Sequence, residues 1–585
     1  VYAKIVQRVG EREYWENWAS SVADVAAAQT LRIQGLLDSN PDVRGEFDRF
    51  VGGLQANLNK GVTEHDALEM LSQHLITEPV LDALFDGFSF TKHNPVAKTM
   101  QGMLDALHGA NLDTELAGLD GFYESVRMRV RGIKDASGKQ DFLKLLYQRF
   151  FSVAMKKASE RLGIVYTPTE IVNFILRSVD DILREQFDSS LGAKGVHILD
   201  PFVGTGTFIA QLIHSDLISD AELPHKFREE LHANEINLLA YYVAAVNIEE
   251  AYHSRMGGNY VPFDGVLLTD TFQNFEADDS LDEEGVFVEN NAGVIKQKSL
   301  PITVIVGNPP YSVGQASGND DNQNVSYPTL DARIKNTYAA QSTAQNKNNL
   351  YDSYIRAIRW ASDRIGERGV IGFVTNNGYI DSNTADGLRL TLAAEFSNLY
   401  ILNLRGNSRT AGDVAKREGG NVFNVRVGVS IAILVKSSDN TESDLLHYHD
   451  IGDYLTREQK LLALKKIGGA GELQWDSLVP NEDGDWVNQR STEFESLTAI
   501  GSKSDIKSLK FFSSHGPGLQ TNRDAWVYNS SRIALLENVT RTIAAFNESV
   551  RTLASGESGS RNMDPKAISW TSGLQSRHDR AETLE

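Results

Sequence analysis

The 585-residue sequence has no cysteine. That excludes disulfides, thiolate metal sites and a cysteine nucleophile. No apolar run is long enough to span a bilayer and no secretory leader is visible, so no membrane partner is expected and the absences fit a cytoplasmic protein. Basic residues are outnumbered: 57 Lys and Arg against 78 Asp and Glu leave a formal net charge of -21. Such a balance argues against indiscriminate nucleic-acid binding, though not against a local basic groove. A credible ATP site is also missing. Gly132 to Lys139 has the look of a P-loop, but the spacing is wrong by one and Gln140 replaces the Ser or Thr that would hold magnesium. There is no internal repeat. The chain begins with Val1 rather than Met, which suggests a fragment of a longer polypeptide or a processed N-terminus. Its length implies two to four domains, and an apolar content of 41% suffices for large cores.

What is present centres on Val304 to Tyr311, Val-Ile-Val-Gly-Asn-Pro-Pro-Tyr. An apolar run that reads as a buried strand ends in Gly307. Pro309 and Pro310 supply no backbone N–H and fix φ, so the sheet cannot continue through them. A stiff turn should hold Asn308 and Tyr311 at the strand end. Asn308 Oδ1 and the Pro309 carbonyl can accept both protons of a planar amine while Tyr311 stacks on its ring. The plain alternative is a proline-rich turn after a core strand.

Before this stretch, residues 1–161 follow a helical period, as in Asp66 to Leu75 and Phe142 to Phe151. Arg127, Arg131 and Lys134 would share one helix side, as a phosphate-contacting face or a solvated one. Tyr166-Thr-Pro-Thr-Glu170 opens a new unit. Thr167 is placed to cap a helix that has Pro168 at its first position and Glu170 completing a capping box. A strand over Gly195 to Asp200 then runs into Asp200-Pro-Phe-Val-Gly-Thr-Gly-Thr-Phe208 and a helix. Strand, glycine loop and helix form a ligand crevice at the carboxyl end of a parallel sheet, with Gly204 and Gly206 admitting a close ligand. The next strands end in Glu235 and Asp270. Glu235 suits a ribose diol or a helix N-terminal charge, and Asp270 suits an adenine amino group or a cap.

Glu276 to Glu284 is acidic but lacks calcium-loop spacing, so it reads as solvated loop and no metal site is expected. Ser312 to about Asn349 reads as a long polar loop over the site. Further strands are expected over Gly369–Thr375 and Leu399–Arg405, with two more within Asn421–Val435 bending near Phe423 to Gly428. The alternation of strand and helix indicates a mostly parallel α/β sheet with an antiparallel end. After about Lys436 comes a helix over Thr456–Ile467, then loop-rich, aromatic-bearing sequence. Thr521 to Asp524 is polar enough to face a partner or to form a buried polar corner, and residues from about Ser555 read as a linker.

These motifs resemble an adenine-specific (N6) DNA methyltransferase whose target-recognition domain follows catalysis. The resemblance implies a Rossmann-like S-adenosylmethionine methyltransferase sheet, flanked by a helical N-terminal domain and a mixed α+β C-terminal one. It implies cofactor contacts from Tyr166, Thr167, Pro168, Asp200, Phe202, Gly204, Gly206, Glu235 and Asp270, with Asn308, Pro309, Pro310 and Tyr311 as the catalytic turn. Phe423 resembles the aromatic that packs on the flipped base. The helical lead-in, Asp485 to Arg490 and Thr521 to Asp524 are similar to single-polypeptide type ISP restriction–modification enzymes. That similarity implies a coupler-like domain over 1–161, a methyltransferase domain over 162–437 and an incomplete recognition domain over 438–585. It also implies double-stranded DNA as partner, with nuclease and ATPase modules on the same full-length polypeptide. Two rivals remain at this level: a methyltransferase for a protein glutamine amide, and a non-catalytic module that binds cofactor and DNA.

Overall fold

The computed structural model describes residues 28–84, 93–107, 167–276, 285–311, 327–437 except 345, 446–489, and shorter stretches between 493 and 584. The lead-in around Phe142, the basic triad, Tyr166, residues 277–284 and 312–326, and Thr521 to Asp524 lie outside them.

Nine strands form one sheet: β1 (His197–Asp200), β2 (Leu231–Glu235), β3 (Val266–Leu268), β4 (Ile302–Gly307), β5 (Gly369–Asn376), β6 (Asn398–Arg405), β7 (Val429–Lys436), β8 (Leu446–Asp450) and β9 (Asp476–Leu478). Their order is β3-β2-β1-β4-β5-β7-β6-β8-β9. The strands from β3 to β5 are parallel to their neighbours. β7 runs antiparallel between β5 and β6. The central strands are near-continuous apolar runs because helices cover both faces. Successive residues serve opposite sides: Ile198, Val304 and Val306 join one hydrophobic cluster, Leu199 and Ile305 the other. From β1 the chain winds outward through β2 and β3, then returns to place β4 on the other side. In open α/β sheets such a reversal is where ligands bind, outside the carboxyl ends of the two strands, here β1 and β4.

Three expectations are corrected. Asn421 to Val435 holds one strand, not two, because residues 421–428 form a loop. The Asn421 side chain donates to the carbonyls of Gly406 and Val427, and accepts from the amides of Phe423 and Val425. A side chain that takes up backbone groups in this way competes with a strand ladder. The polar stretch after Tyr311 is not all loop either, since helices cover Pro328–Asn336 and Tyr338–Gln341. Leu330, Ile334 and Tyr338, four residues apart, are fully buried. The Glu276 carboxylate accepts from the Thr329 and Leu330 amides at 2.8 and 3.1 Å, so the first residue of the acidic run caps a helix. Lastly, the sheet continues beyond residue 437 through β8 and β9. The compact unit that contains it reaches Asn488.

The described N-terminal helices belong to that same unit. Asn94 Nδ2 donates to the Tyr241 hydroxyl at 2.9 Å, and Thr269 Oγ1 donates to the Asn57 carbonyl at 3.1 Å. The helix Arg457–Ile467 forms as expected, with a capping box between Thr456 and Gln459. A second unit includes residues 489–585. In it the helix Arg532–Ala554 buries Phe546 and Val550.

Candidate active site

Gly307 is the last residue of β4 and lies close against the Asp200 side chain, which a larger residue would displace. A Cβ there would lie 2.9 Å from Asp200 Oδ1. The proline turn and the glycine loop therefore leave adjacent parallel strands at the same edge, in contact where they start. Asn308 follows, half-buried. Its Nδ2 donates to Thr167 Oγ1 at 3.0 Å, and its Oδ1 lies 2.7 Å from the Tyr311 hydroxyl, which donates to it. The same hydroxyl is 3.0 Å from the Val374 carbonyl on β5. Burial pushes the Tyr311 phenol well above its usual pKa, so it remains a donor. Its ring meets Phe423 edge-on, with centroids 6.4 Å apart at 66°. Asn308, Pro309, Pro310, Tyr311 and Phe423 thus come together, with Pro309 and Phe423 buried.

Thr167 departs from expectation. The helix Thr169–Phe187 starts after Pro168, without a side-chain cap. The Pro168 carbonyl accepts from the Ile171 and Val172 amides. The Thr167 hydroxyl serves Asn308 instead of the capping box.

The two loop glycines have different tasks. Gly204 has φ +55° and a Cβ on it would enter open space, leaving room for a ligand. Gly206 has φ +82°, and a Cβ there would meet the Ala244 carbonyl oxygen at 3.0 Å, so it permits close approach of the helix Leu238–Met256. Glu235 clamps the loop: one oxygen accepts from the Gly204 amide at 2.9 Å and the other from the Asn237 amide at 2.8 Å. Burial pushes its carboxyl up to about 7. Asp200 is fully buried. Its Oδ1 accepts from the Phe202 amide at 3.1 Å, while Oδ2 has no hydrogen-bond partner among the described residues. Burial pushes this carboxyl up to about 8. Phe202 is half-buried, its ring 5.4 Å from that of Phe272.

Asp270 does not stand open to a ligand amine. Its Oδ1 accepts from the Phe272 and Gln273 amides, and its Oδ2 from Asn59 Nδ2 at 3.2 Å and the Tyr327 hydroxyl at 2.8 Å. Four donors match the roughly four lone-pair sites of a carboxylate. Of its two sequence readings the cap fits. Sequence reasoning missed Asn59 and Tyr327 as its partners, because neither lies in a local pattern that points to Asp270.

The family model for the type ISP restriction–modification enzyme coupler domain matches residues 14–138. That for the N-6 DNA methylase matches residues 138–387, and that for the type ISP C-terminal specificity domain residues 510–585. A solved structure of a nuclease-deletion mutant of the type ISP enzyme LlaGI, in complex with a DNA substrate mimic, is 42% identical with a TM-score of 0.88, over 100% of this chain and 48% of that one. The ATP-dependent type ISP enzyme LlaBIII bound to DNA is 44% identical with a TM-score of 0.91, over 100% of this chain and 40% of that one. A curated type II methyltransferase, M.BanIII of Aneurinibacillus aneurinilyticus, is 23% identical over 252 residues, 43% of this chain and 37% of its own length. The chain spans less than half the length of each of these relatives.

Proposed function

We propose that this chain, which belongs to the type ISP restriction–modification enzymes and carries their coupler, N6 DNA methylase and C-terminal specificity regions, transfers a methyl group from S-adenosylmethionine to the exocyclic nitrogen of adenine at a specific site in double-stranded DNA. The observation that carries this reading is the close approach of Gly307 to Asp200, which sets the start of the Asn308 turn beside the start of the glycine loop.

The residues fit the cofactor. Asp200 Oδ2 is a buried acceptor without a partner among the described residues, suited to an α-ammonium group. Gly204 leaves open space beside the loop. Phe202, Gly204, Gly206 and Glu235 would form the rest of its seat in a Rossmann-like sheet. Tyr166 and Pro168 belong to the same expected set. When bound, the cofactor supplies an electrophilic sulfonium methyl.

The chain's own residues solve the other half of the problem. An adenine amine is a poor nucleophile because its lone pair is delocalised into the ring. Asn308 Oδ1 offers two lone pairs, and the Tyr311 hydroxyl uses one of them. The other lone pair and the Pro309 carbonyl accept the two amine protons, which draws the nitrogen toward tetrahedral geometry and frees its electrons. Positioning and hydrogen bonding to the charge that develops do the catalytic work. The base must leave the duplex to reach this turn. Unstacking costs a few kcal/mol, against about 1–3 kcal/mol returned by each aromatic stack on Tyr311 and Phe423.

By this reading residues 1–161 are the coupler-like part and the methyltransferase part starts at 162. Because β8 and β9 extend its sheet, recognition is assigned to 489–585 rather than 438–585. The LlaGI structure is of a nuclease-deletion mutant and LlaBIII is ATP-dependent. Nuclease and ATPase modules on the same full-length polypeptide accord with those relatives, and a cytoplasmic location is part of the same proposal. Among the described residues no helix is long and apolar enough to cross a membrane.

The decisive test is label transfer. With methyl-labelled cofactor and either plasmid DNA or a protein extract, label is expected in N6-methyladenine. Label in protein glutamine would favour the first rival, and cofactor binding with no transfer would favour the non-catalytic module.

Asp200 makes cofactor affinity depend on pH. In the free chain its carboxyl is raised to about 8, so it is mostly protonated at neutral pH. An ammonium beside Oδ2 stabilises the charged form, so binding releases a proton. Affinity should therefore rise between pH 6 and 7.5, by at most about tenfold per pH unit, and level off near 8. Calorimetry in buffers of different ionisation enthalpy should detect the released proton, and Asp200→Asn should reduce both effects, leaving only what the neighbouring Glu235 carboxyl, raised to about 7, contributes. Proton uptake on binding would contradict this role.

A further inference from the structure

Given the proposed reaction, Asn308 must present its oxygen, not its NH2, to the target amine. The two ends of an amide are nearly identical in shape, so hydrogen-bond partners decide which way it faces. In the reactive orientation both N–H groups point away from the amine, and a buried donor without an acceptor costs free energy. We propose that Thr167 is a positioning residue for this reaction: its hydroxyl oxygen, 3.0 Å from Asn308 Nδ2, supplies that acceptor, and together with the Tyr311 hydroxyl donating to Oδ1 it supports the orientation with Oδ1 toward the amine. This is a different role from the cofactor contact implied by resemblance.

Thr167 is delivered by a rigid element. It is only 7% exposed. Pro168 follows it with fixed φ, its carbonyl tied to the Ile171 and Val172 amides. The helix Thr169–Phe187 is pressed onto the sheet, where a Cβ on Gly372 of β5 would meet Ile175 Cγ2 at 2.8 Å and Val179 Cγ2 at 3.0 Å. The hydroxyl therefore has little freedom relative to β4. On the other side of the amide, the Tyr311 hydroxyl meets Oδ1 at 2.7 Å. The hydroxyl that supports the Asn308 amide thus comes from a segment 141 residues away.

Thr167→Val keeps the shape and removes the acceptor. The reactive orientation then leaves Nδ2 unsatisfied, and the amide turns over in a share of molecules. At saturating cofactor and DNA, the single-turnover methylation rate should fall about 10- to 100-fold. Cofactor Kd from calorimetry should stay within about twofold, an estimate that follows from the bond running to Asn308 rather than to a ligand. Thr167→Ser retains the hydroxyl and should recover most of the rate. Cofactor-induced thermal stabilisation, measured on each variant, checks that the site is folded. An unchanged single-turnover rate with weakened cofactor binding would overturn the proposal and return Thr167 to the cofactor seat. A Ser variant as slow as the Val variant would also overturn it. The parent chain is assayed alongside: its failure to methylate adenine would refute the proposed reaction itself, whereas a normal parent with a normal Val variant refutes only the role of Thr167.

Discussion

Asn308→Ala should leave cofactor affinity within about twofold while lowering methyl transfer by about 10²- to 10³-fold, the loss typical when one preorganised hydrogen-bonding group is removed from a reacting centre. The separation follows from what the side chain touches. Its partners are Thr167 and Tyr311, not the loop from Asp200 to Gly206. Without it the Tyr311 hydroxyl still reaches the Val374 carbonyl, so the aromatic wall keeps its anchor. The loss should therefore fall on the rate at saturating cofactor and not on binding. Calorimetry for affinity and single-turnover assays for rate measure the two separately. Transfer at near-parental rate would remove Asn308 from the mechanism, and lost cofactor binding would show that its role is structural.

The second large effect concerns stability. Arg389 is almost completely buried. Its Nε donates to the Gly484 carbonyl at 2.5 Å, its Nη1 to the carbonyls of Tyr379 and Ser382 at 2.9 Å each, and its Nη2 to Asp485 Oδ1 at 3.3 Å. One guanidinium thus ties the segment after β9 to the segment after β5. Trp486 seals the junction, edge-on to Tyr379 with centroids 6.1 Å apart. Arg389→Met preserves bulk but removes the cation paired with the Asp485 carboxylate, itself 5% exposed and still held by Asn481 Nδ2 at 3.1 Å, and leaves the carbonyls of Gly484, Tyr379 and Ser382 without this donor. Breaking a buried ion pair by deleting one partner costs about 3–5 kcal/mol. The expected result is a lower melting temperature, with hydrogen-exchange protection lost first over residues 379–390 and 481–486. Adding Asp485→Asn should restore part of the loss, since it removes the charge that lost its cation. Because β5 also carries the Val374 carbonyl, transfer should weaken in the single variant even below its melting temperature. A melting temperature within a degree of the parent's would show that the clamp is dispensable.

Local patterns located the ends of the central strands well. Asp200, Glu235 and Gly307 each close a strand, where apolar runs met an acid or a glycine. The same kind of pattern failed at Thr167. Thr-Pro-Thr-Glu at 167–170 and Thr-Arg-Glu-Gln at 456–459 both have capping-box spacing, yet only the second forms one. At Thr456 the competitors are solvent and its own helix. At Thr167 a buried amide from β4 takes the hydroxyl. Asn421 misled in the opposite sense, since β-rich residues surround it while its side chain collects four backbone groups into a loop.

By itself the sequence determined where the chain turns, where it can admit a ligand, and which side chains stand at the strand ends. Those features arise from backbone sterics and hydrophobic period, which act over a few residues. Only the tertiary structure decided which lone pair faces which donor. It gave Asp270 to Asn59, 211 residues away, and left Asp200 Oδ2 unclaimed among the described residues. A hydrogen bond is specific at about 3 Å, and no short-range pattern encodes which distant segment will arrive within that distance.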